Sequence, residues 1–232
     1  MKELVLEQLA SSEAVLTPDE KELGVMLVDM GGGTTDIAIF ANGSVQHTAV
    51  LSLGGDHITR DIAIGLGTPT ADAETIKQRY GCALTQLVEG DEPLDIPGVG
   101  GRKSRMISRR MLAEIIEPRV EEMFGLVAQE LMRSGLEDML PAGVVITGGS
   151  TLLPGMVECA ERVFGMGVRL GAPRGIGGIV DVVNSPMYAT AVGLVLFGMN
   201  KARAEDPRQK VREDTLYRRV RSRVGEWIGN IF

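Results

Sequence analysis

The chain has 232 residues, 44% hydrophobic and 4% aromatic, which predicts a soluble protein of one large or two small domains with an aliphatic core. The net charge of −7 is unevenly distributed along the chain, because residues 201–232 hold nine basic and five acidic side chains while the remainder is acidic. An acidic body argues against nucleic acid as the main partner. Two cysteines argue against a disulfide framework, no signal peptide opens the chain, and no apolar run reaches the length of a membrane span.

The first third of the chain predicts a helix followed by a strand meander. Apolar spacing favours a helix over residues 3–15, and β-rich runs favour strands over 25–30 and 35–40 on either side of a glycine turn. Asn42-Gly43 is a strong two-residue hairpin signal, so residues 44–52 are expected to form a third antiparallel strand.

Two helices are predicted next. The first follows Gly54-Gly55, with Asp56 as its N-cap and a buried face made of Ile58, Ile62 and Leu66. The second covers residues 71–80 and is closed by Gly81.

The middle of the chain alternates loop and helix. Residues 88–105 predict a mobile loop, because they are rich in glycine, proline and charge. Residues 107–134 predict a long helix that bends or restarts near Pro118. The run VVITGGSTLLPGM (144–156) predicts a strand, a Gly-Gly turn and a helix with Pro154 in its first turn.

The last third predicts short connections and two helices. Residues 168–170 and 179–183 are expected to be short strands or connections, and 186–199 a buried helix. A charged linker over 200–215 then leads to an amphipathic helix over 216–232.

The run VMLVDMGGGTTDIAIF (25–40) carries the clearest chemistry. Glycines reach backbone angles that other residues avoid, so a GGG turn can reverse tightly with clustered N–H groups that wrap a phosphate, and two threonine hydroxyls add donors. Asp29, at the end of a strand, is placed to hold the water shell of a phosphate-bound Mg²⁺. The alternative is a glycine-rich hairpin with Asp as a turn residue, and the flanking Asp29 and Thr34-Thr35-Asp36 favour phosphate binding.

A second glycine turn suggests the other half of a nucleotide site. The backbone of Gly148-Gly149 would lie flat against an adenosine, because a side chain there would intrude. Glu74 and Lys77 stand three apart on one predicted helix and reach the same side of a ligand; a surface salt bridge is the alternative.

These motifs resemble the actin-like ATPase superfamily, and within it the FtsA family of bacterial cell division proteins. DMGGGTTDIAIF resembles the second phosphate motif of that superfamily, VVITGGSTLLPGM its adenosine motif, and ADAETIKQRYG its nucleotide-side helix. The resemblance runs from about residue 4 to 232 and implies an α/β, RNase-H-like lobe that binds ATP and Mg²⁺. By position, it implies phosphate contacts from Gly31, Gly32, Gly33, Thr34 and Thr35, a metal-facing Asp29, ribose or adenine contacts from Glu74 and Lys77, and an adenosine wall of Gly148, Gly149 and Ser150.

The resemblance covers only the second lobe of that family. It implies subdomain 2A over 1–70 and 140–199 and subdomain 2B over 71–139, without the first phosphate motif or the small domain used in filament contacts. A cleft with one wall is expected to bind nucleotide weakly and to hydrolyse almost none. Whether the chain is an enzyme is left open.

The resemblance also implies partners and a location. Members assemble into filaments and tether the tubulin-like FtsZ ring to the cytoplasmic face of the cell membrane as peripheral proteins. The basic stretch lies where the family receives the C-terminal peptide of FtsZ, and it comprises Arg102, Lys103, Arg105, Arg109 and Arg110. The alternative is a solvated loop that neutralises Glu114, Glu117, Glu121 and Glu122.

The C-terminal pattern predicts a helix lying in a membrane interface. At 100° per residue, one face collects the apolar residues Leu216, Val220, Val224, Trp227, Ile228, Ile231 and Phe232. The opposite face carries Arg218, Arg219 and Arg223, which suit anionic lipid. The alternative is a helix docked on the protein itself or on a partner.

Two rival functions use the same fold. A sugar kinase or chaperone-type ATPase would need a substrate-binding acid or a peptide-binding domain, and neither is visible. An actin-like pilus-assembly ATPase would not require the basic amphipathic terminus. His47 and His57 receive no functional role.

Overall fold

The central sheet places three antiparallel strands beside two parallel ones. The computed structural model describes residues 4–90, 92–175, 177 and 183–205. Within them, five strands follow the order β3-β2-β1-β6-β7. These strands are β1 (Val25–Met30), β2 (Thr35–Ala41), β3 (Ser44–Leu51), β6 (Val144–Thr147) and β7 (Val168–Leu170).

The meander matches the sequence prediction. β1 pairs antiparallel with β2, and β2 with β3. Asn42 and Gly43 both have positive φ (51° and 69°), the geometry of the two-residue turn that their sequence predicts. β6 runs parallel to β1, so the ends of both strands reach the same edge of the sheet.

Helices cover both faces of the sheet. α1 (Glu7–Val15) and the last described helix, α7 (Ala189–Glu205), pack on one face, against Val25 and Leu27 of β1. The short helix α2 (Pro18–Leu23) lies between α1 and β1 in the chain. On the other face, Met26 and Val28 meet α3 (Gly55–Leu66), α5 (Arg109–Ser134) and α6 (Met156–Phe164). Every residue of β1 is buried, because the sheet is sandwiched between the two helical layers.

A smaller layer extends from the second face. It contains α4 (Thr70–Tyr80), the strands β4 (Pro93–Ile96) and β5 (Arg105–Ser108), and the 26-residue α5. The buried side chains Ile76, Leu94 and Ile107 join the same core as the sheet. Helix α5 passes through Pro118 as one helix, so the predicted restart there is wrong.

Three further local predictions need correction. Gly54, not Asp56, is the N-cap of α3, because the N–H of Gly54 is held by Nδ1 of His57 in the first turn. Residues 88–105 are not one loop, since β4 pairs with β5. Pro154 precedes α6, whose N-cap is Gly155 with φ of +87°.

The last described helix differs from its prediction in its burial and in its length. It is not wholly buried, because only one side packs on α1, and Leu194, Val195 and Met199 are exposed. It also continues to Glu205, into the segment assigned to a linker. No helix in the described part of the chain is long and apolar enough to cross a membrane. The predicted helix over 216–232, the linker over 206–215 and residues 179–182 lie outside the described residues.

Candidate functional site

A cavity of about 410 Å³ opens where four segments meet. The turn between β1 and β2 and the start of α3 form one side, α4 forms another, and the segment after β6 closes it. The lining residues are Gly32, Gly55, Asp56, Ile58, Glu74, Lys77, Gln78, Gly149, Ser150, Leu152, Leu153 and Met187. The two glycine turns therefore face one space, together with the predicted Glu74 and Lys77.

The β1–β2 turn is held in place by its carbonyl groups. The oxygen of Gly31 accepts from the N–H of Gly55 (3.0 Å) and from the hydroxyl of Ser150 (2.8 Å). The oxygen of Gly32 accepts from the N–H of Asp56 (2.8 Å). The N–H groups of Gly32 and Gly33 donate to no acceptor among the described residues, so they remain available to an anion.

The conformational argument for the three glycines is wrong. None of Gly31, Gly32 and Gly33 has a positive φ. A Cβ on Gly33 would meet nothing within 4 Å, and one on Gly32 would lie 3.3 Å from Oδ1 of Asp56. What the small residues preserve is open space in front of the turn.

Other glycines beside the cavity do approach their neighbours closely. A Cβ on Gly55 would lie 2.4 Å from the Oγ of Ser150. Gly148 has φ of +93°, and a Cβ there would lie 2.4 Å from the carbonyl oxygen of Met30. Gly148 is buried, so a side chain there would strike the protein's own backbone instead of intruding on an adenosine. Its neighbour Gly149 is the one that lines the cavity.

Glu74 and Lys77 form an ion pair at the cavity wall. Nζ of Lys77 lies 2.8 Å from Oε2 of Glu74. The two side chains therefore form the salt bridge that was the alternative, and both also line the same cavity. Burial raises the pKa of the Glu74 carboxyl, but hydrogen bonds from Lys77, Thr59 and Gln78 outweigh burial and hold the pKa below its usual range. Glu74 is therefore an ionised acceptor at neutral pH.

Asp29 lies directly opposite Asp36 across the β1–β2 pair. Burial, and after it the charge of Asp36, raises the pKa of Asp29, and hydrogen bonds from the hydroxyls of Ser11 and Thr190 only partly offset this rise. The Thr190 hydroxyl donates to Oδ2 of Asp29 at 3.0 Å. Two nearly buried carboxylates suit a divalent cation, which prefers oxygen ligands and would offset their repulsion. The described residues contain no group of three or more acidic, His or Cys side chains that could hold a metal, so a cation here would keep water or phosphate ligands.

The two threonines are not among the residues that line the cavity. The hydroxyl of Thr35, which is buried, donates to the carbonyl oxygen of Leu53 at 2.7 Å. The hydroxyl of Thr34 donates to Oδ2 of Asp36 at 3.0 Å. The structure does not bring these hydroxyls to the cavity, and their contact with phosphate stays a prediction.

Sequence reasoning missed several lining or supporting residues. Gly55 and Asp56 were treated only as a helix start, although the Gly54-Gly55 pair was a visible signal of close approach. Gln78, Met187 and the buried Thr59 carried no local signal, since they reach the site only through the packing of helices.

The basic stretch divides between two places. Arg102, Lys103 and Arg105 line a second cavity of about 380 Å³ beside the end of α3. Arg105 donates to the carbonyl oxygen of Leu66 at 2.7 Å. Arg109 donates to the carbonyl oxygen of Tyr80 at 3.0 Å, and Arg110 lies 3.7 Å from Glu114.

The proposed neutralisation of four glutamates by this stretch holds for one of them. Glu114 lies beside Arg110. Glu117 and Glu121 pair instead with Arg162, and Glu122 pairs with Arg119. None of these three glutamates pairs with a basic side chain of the second cavity.

Comparison with known proteins places these features in one family. The model of the family described as cell division protein FtsA matches residues 26–193. Cell division protein FtsA of Pseudomonas aeruginosa is 55% identical over 199 residues, which cover 86% of this chain and 48% of that protein. The FtsA of Escherichia coli K12 is 44% identical and is covered over 54% of its length by 97% of this chain. The chain thus spans about half the length of these curated relatives.

A solved structure matches the fold at low sequence identity. MreB5 of Spiroplasma citri, bound to AMPPNP, superposes with a TM-score of 0.66 at 19% identity, covering 87% of this chain and 61% of that one. At this identity the likeness concerns the fold alone. It supports a mixed α/β architecture with an actin-like fold.

Proposed function

Because the chain belongs to the FtsA family of cell division proteins, we propose that it forms the second, nucleotide-binding lobe of such a protein and holds ATP in the 410 Å³ cavity. Its fold is the actin-like α/β fold that the sequence predicts. The family match favours a division protein over a pilus-assembly ATPase, a sugar kinase or a chaperone. The proposed boundaries are 1–70 with 140–199 for subdomain 2A, and 71–139 for subdomain 2B.

The observation that carries the proposal is the convergence of two glycine turns on one cavity. The free N–H groups of Gly32 and Gly33 suit the phosphates, Gly149 suits a flat contact with the base, and Glu74 suits a sugar hydroxyl. Asp29 would hold the Mg²⁺, which neutralises phosphate charge when it is bound. Ser150 contributes to the wall, although its hydroxyl already binds Gly31.

Calorimetric titration of the chain with ATP and Mg²⁺ tests this proposal. We expect saturable binding that Gly32→Val abolishes, because the valine would fill the space in front of the turn. Gly125→Val is the control, since Gly125 lies on α5, away from the cavity, and a Cβ there would meet nothing within 4 Å. ATP binding that survives Gly32→Val undiminished contradicts the proposal.

We also propose that the second cavity receives an acidic and apolar peptide, the C-terminal peptide of FtsZ. Arg102 and Arg105 supply charge beside the buried Ile96 and the exposed Ile64. Arg109 and Arg110, whose side chains bind elsewhere, would contribute only to the surrounding field. Arg102→Ser with Arg105→Ser should weaken peptide binding about tenfold, whereas Arg133→Ser should not.

Self-association and membrane attachment complete the proposed function. We propose filament assembly as in the family, and attachment to the inner face of the membrane through residues 216–232. Co-sedimentation with anionic vesicles, with and without those residues, tests the attachment. Pelleting that does not depend on them, or that is equal on neutral vesicles, overturns it.

A further inference from the structure

Thr59 lies behind the Glu74–Lys77 pair, on the second turn of α3. It is 3% exposed, so it does not contact a ligand in the cavity. Its Oγ1 accepts from Nζ of Lys77 at 2.8 Å and donates its one proton to Oε2 of Glu74. The carbonyl oxygen of Gly55 lies 3.1 Å from the same Oγ1. One buried hydroxyl therefore joins the start of α3 to two charged groups on α4.

The ammonium group of Lys77 is fully occupied by this arrangement. It has three N–H donors, and three acceptors surround it: the carbonyl oxygen of Gly55 at 3.1 Å, Oγ1 of Thr59 at 2.8 Å and Oε2 of Glu74 at 2.8 Å. Lys77 has no further proton for a ligand while these contacts persist. Its role in this geometry is to fix Glu74.

The carboxylate of Glu74 is asymmetric as a result. Oε2 accepts from both Thr59 and Lys77, which fills its two lone pairs. Among the described residues, Oε1 accepts only from Nε2 of Gln78, at 2.7 Å, and retains one acceptor position. The remaining position at the cavity wall suits a hydroxyl donor such as a sugar hydroxyl.

We propose that Thr59 is a positioning residue, which sets the orientation of Glu74 so that Oε1 accepts a hydrogen bond from a ribose hydroxyl of the nucleotide. This inference rests on the nucleotide binding proposed above. Without the Thr59 hydroxyl, Oε2 loses a donor and Lys77 loses an acceptor, so the carboxylate is free to turn. The cavity would then lose its preference for the ribose over a deoxyribose, while phosphate contacts at Gly32 and Gly33 stay intact.

The test compares ATP with 2′-deoxyATP and 3′-deoxyATP by calorimetry on the full chain. The wild-type protein should prefer ATP to one of the two deoxy analogues about tenfold, the value of one hydrogen bond to a charged group. Thr59→Val should reduce ATP affinity to the level of that analogue and leave the affinity for the analogue nearly unchanged. Thr59→Ser, which keeps the hydroxyl, should restore the preference.

Matched variants separate positioning from general damage. Thr75→Val removes a hydroxyl from the exposed side of α4, where it donates to the carbonyl oxygen of Ala71, and should leave the preference intact. If Thr59→Val does not fold, Thr59→Ala gives the same readout. A preference that survives in the Thr59 variant, or an equal loss for all three nucleotides, overturns the inference alone. A wild-type chain that binds none of them overturns the proposed function as well.

Discussion

The hydroxyl of Ser150 donates a 2.8 Å hydrogen bond to the carbonyl oxygen of Gly31, which joins two glycine turns across 119 residues of sequence. The same oxygen accepts from the N–H of Gly55. Three segments of the cavity wall therefore meet at a single atom. The relative position of the β1–β2 turn and the turn after β6 depends on this contact.

Ser150→Ala should separate the two turns without unfolding the protein. Loss of one neutral hydrogen bond lowers the free energy of unfolding by about 1 kcal/mol, and ATP affinity should fall about fivefold. Denaturant unfolding and calorimetry measure the two effects. Ser134→Ala, which removes a hydroxyl bonded to the carbonyl oxygen of Leu131, should cost similar stability but no affinity, and equal affinity in both variants would refute the link.

Two glycine substitutions should separate folding from binding. Gly148→Ala forces a Cβ to within 2.4 Å of the Met30 carbonyl oxygen at φ of +93°, so we expect a loss of about 3 kcal/mol in the free energy of unfolding. Gly33→Ala meets no neighbour within 4 Å and should change that free energy by less than about 0.5 kcal/mol. Its ATP affinity should nevertheless fall about tenfold, because the methyl group occupies the phosphate space. Full affinity in Gly33→Ala would remove the turn from the binding site.

The Glu20–Arg169 pair should make stability depend on acid pH. Arg169 donates to both carboxylate oxygens of Glu20 (2.6 and 2.8 Å), and the N–H of Thr17 donates as well. Burial alone would raise the pKa of Glu20, but these bonds lower it from 4.5 to about 2. The folded state therefore favours the charged form, and this contribution is complete above pH 4.5 and lost as pH falls towards 2.

Glu20→Gln tests that pH dependence. At pH 7 it should lower the free energy of unfolding by about 2 kcal/mol, since a charge-assisted pair is removed. The difference from wild type should shrink as pH falls below 4.5. Urea unfolding between pH 7 and pH 3 measures it. The exposed Glu89→Gln serves as control, and a constant difference across this range would contradict the assignment.

Asp29→Asn should stabilise the ligand-free protein and impair its use of Mg²⁺. Burial raises the pKa of Asp29, so the charged carboxylate is less favourable in the folded than in the unfolded state. This group's effect therefore makes the fold more stable as pH falls towards 3.8. Asn keeps an acceptor for Thr190 without the charge, and the gain should be on the order of 1 kcal/mol. Thermal denaturation with and without ATP and Mg²⁺ checks both parts.

The control for that prediction is the exposed Asp138→Asn. It should alter neither the melting temperature nor the additional stabilisation that Mg²⁺ provides with ATP. Unchanged Mg²⁺ dependence in Asp29→Asn would exclude this carboxylate as the metal-facing group.

Local patterns in the chain were sufficient for the strand meander and most helices. The Asn42-Gly43 turn follows from residues that tolerate positive φ, and the burial of Ile58, Ile62 and Leu66 follows from helical spacing. The two glycine motifs also indicated the family correctly. Each of these features depends on neighbours within one or two turns of chain, which is why sequence alone determined them.

The site itself was decided by tertiary packing. Gly31 and Ser150 meet because parallel pairing of β1 and β6 brings their ends together, and Thr59 reaches Lys77 because α3 packs on α4. No periodicity in the sequence marks these contacts, since partners far apart in the chain are chosen by the shared core. The sequence thus supplied the candidate nucleotide-binding residues, and the packing of sheet and helices decided which of them face the cavity and which bind one another.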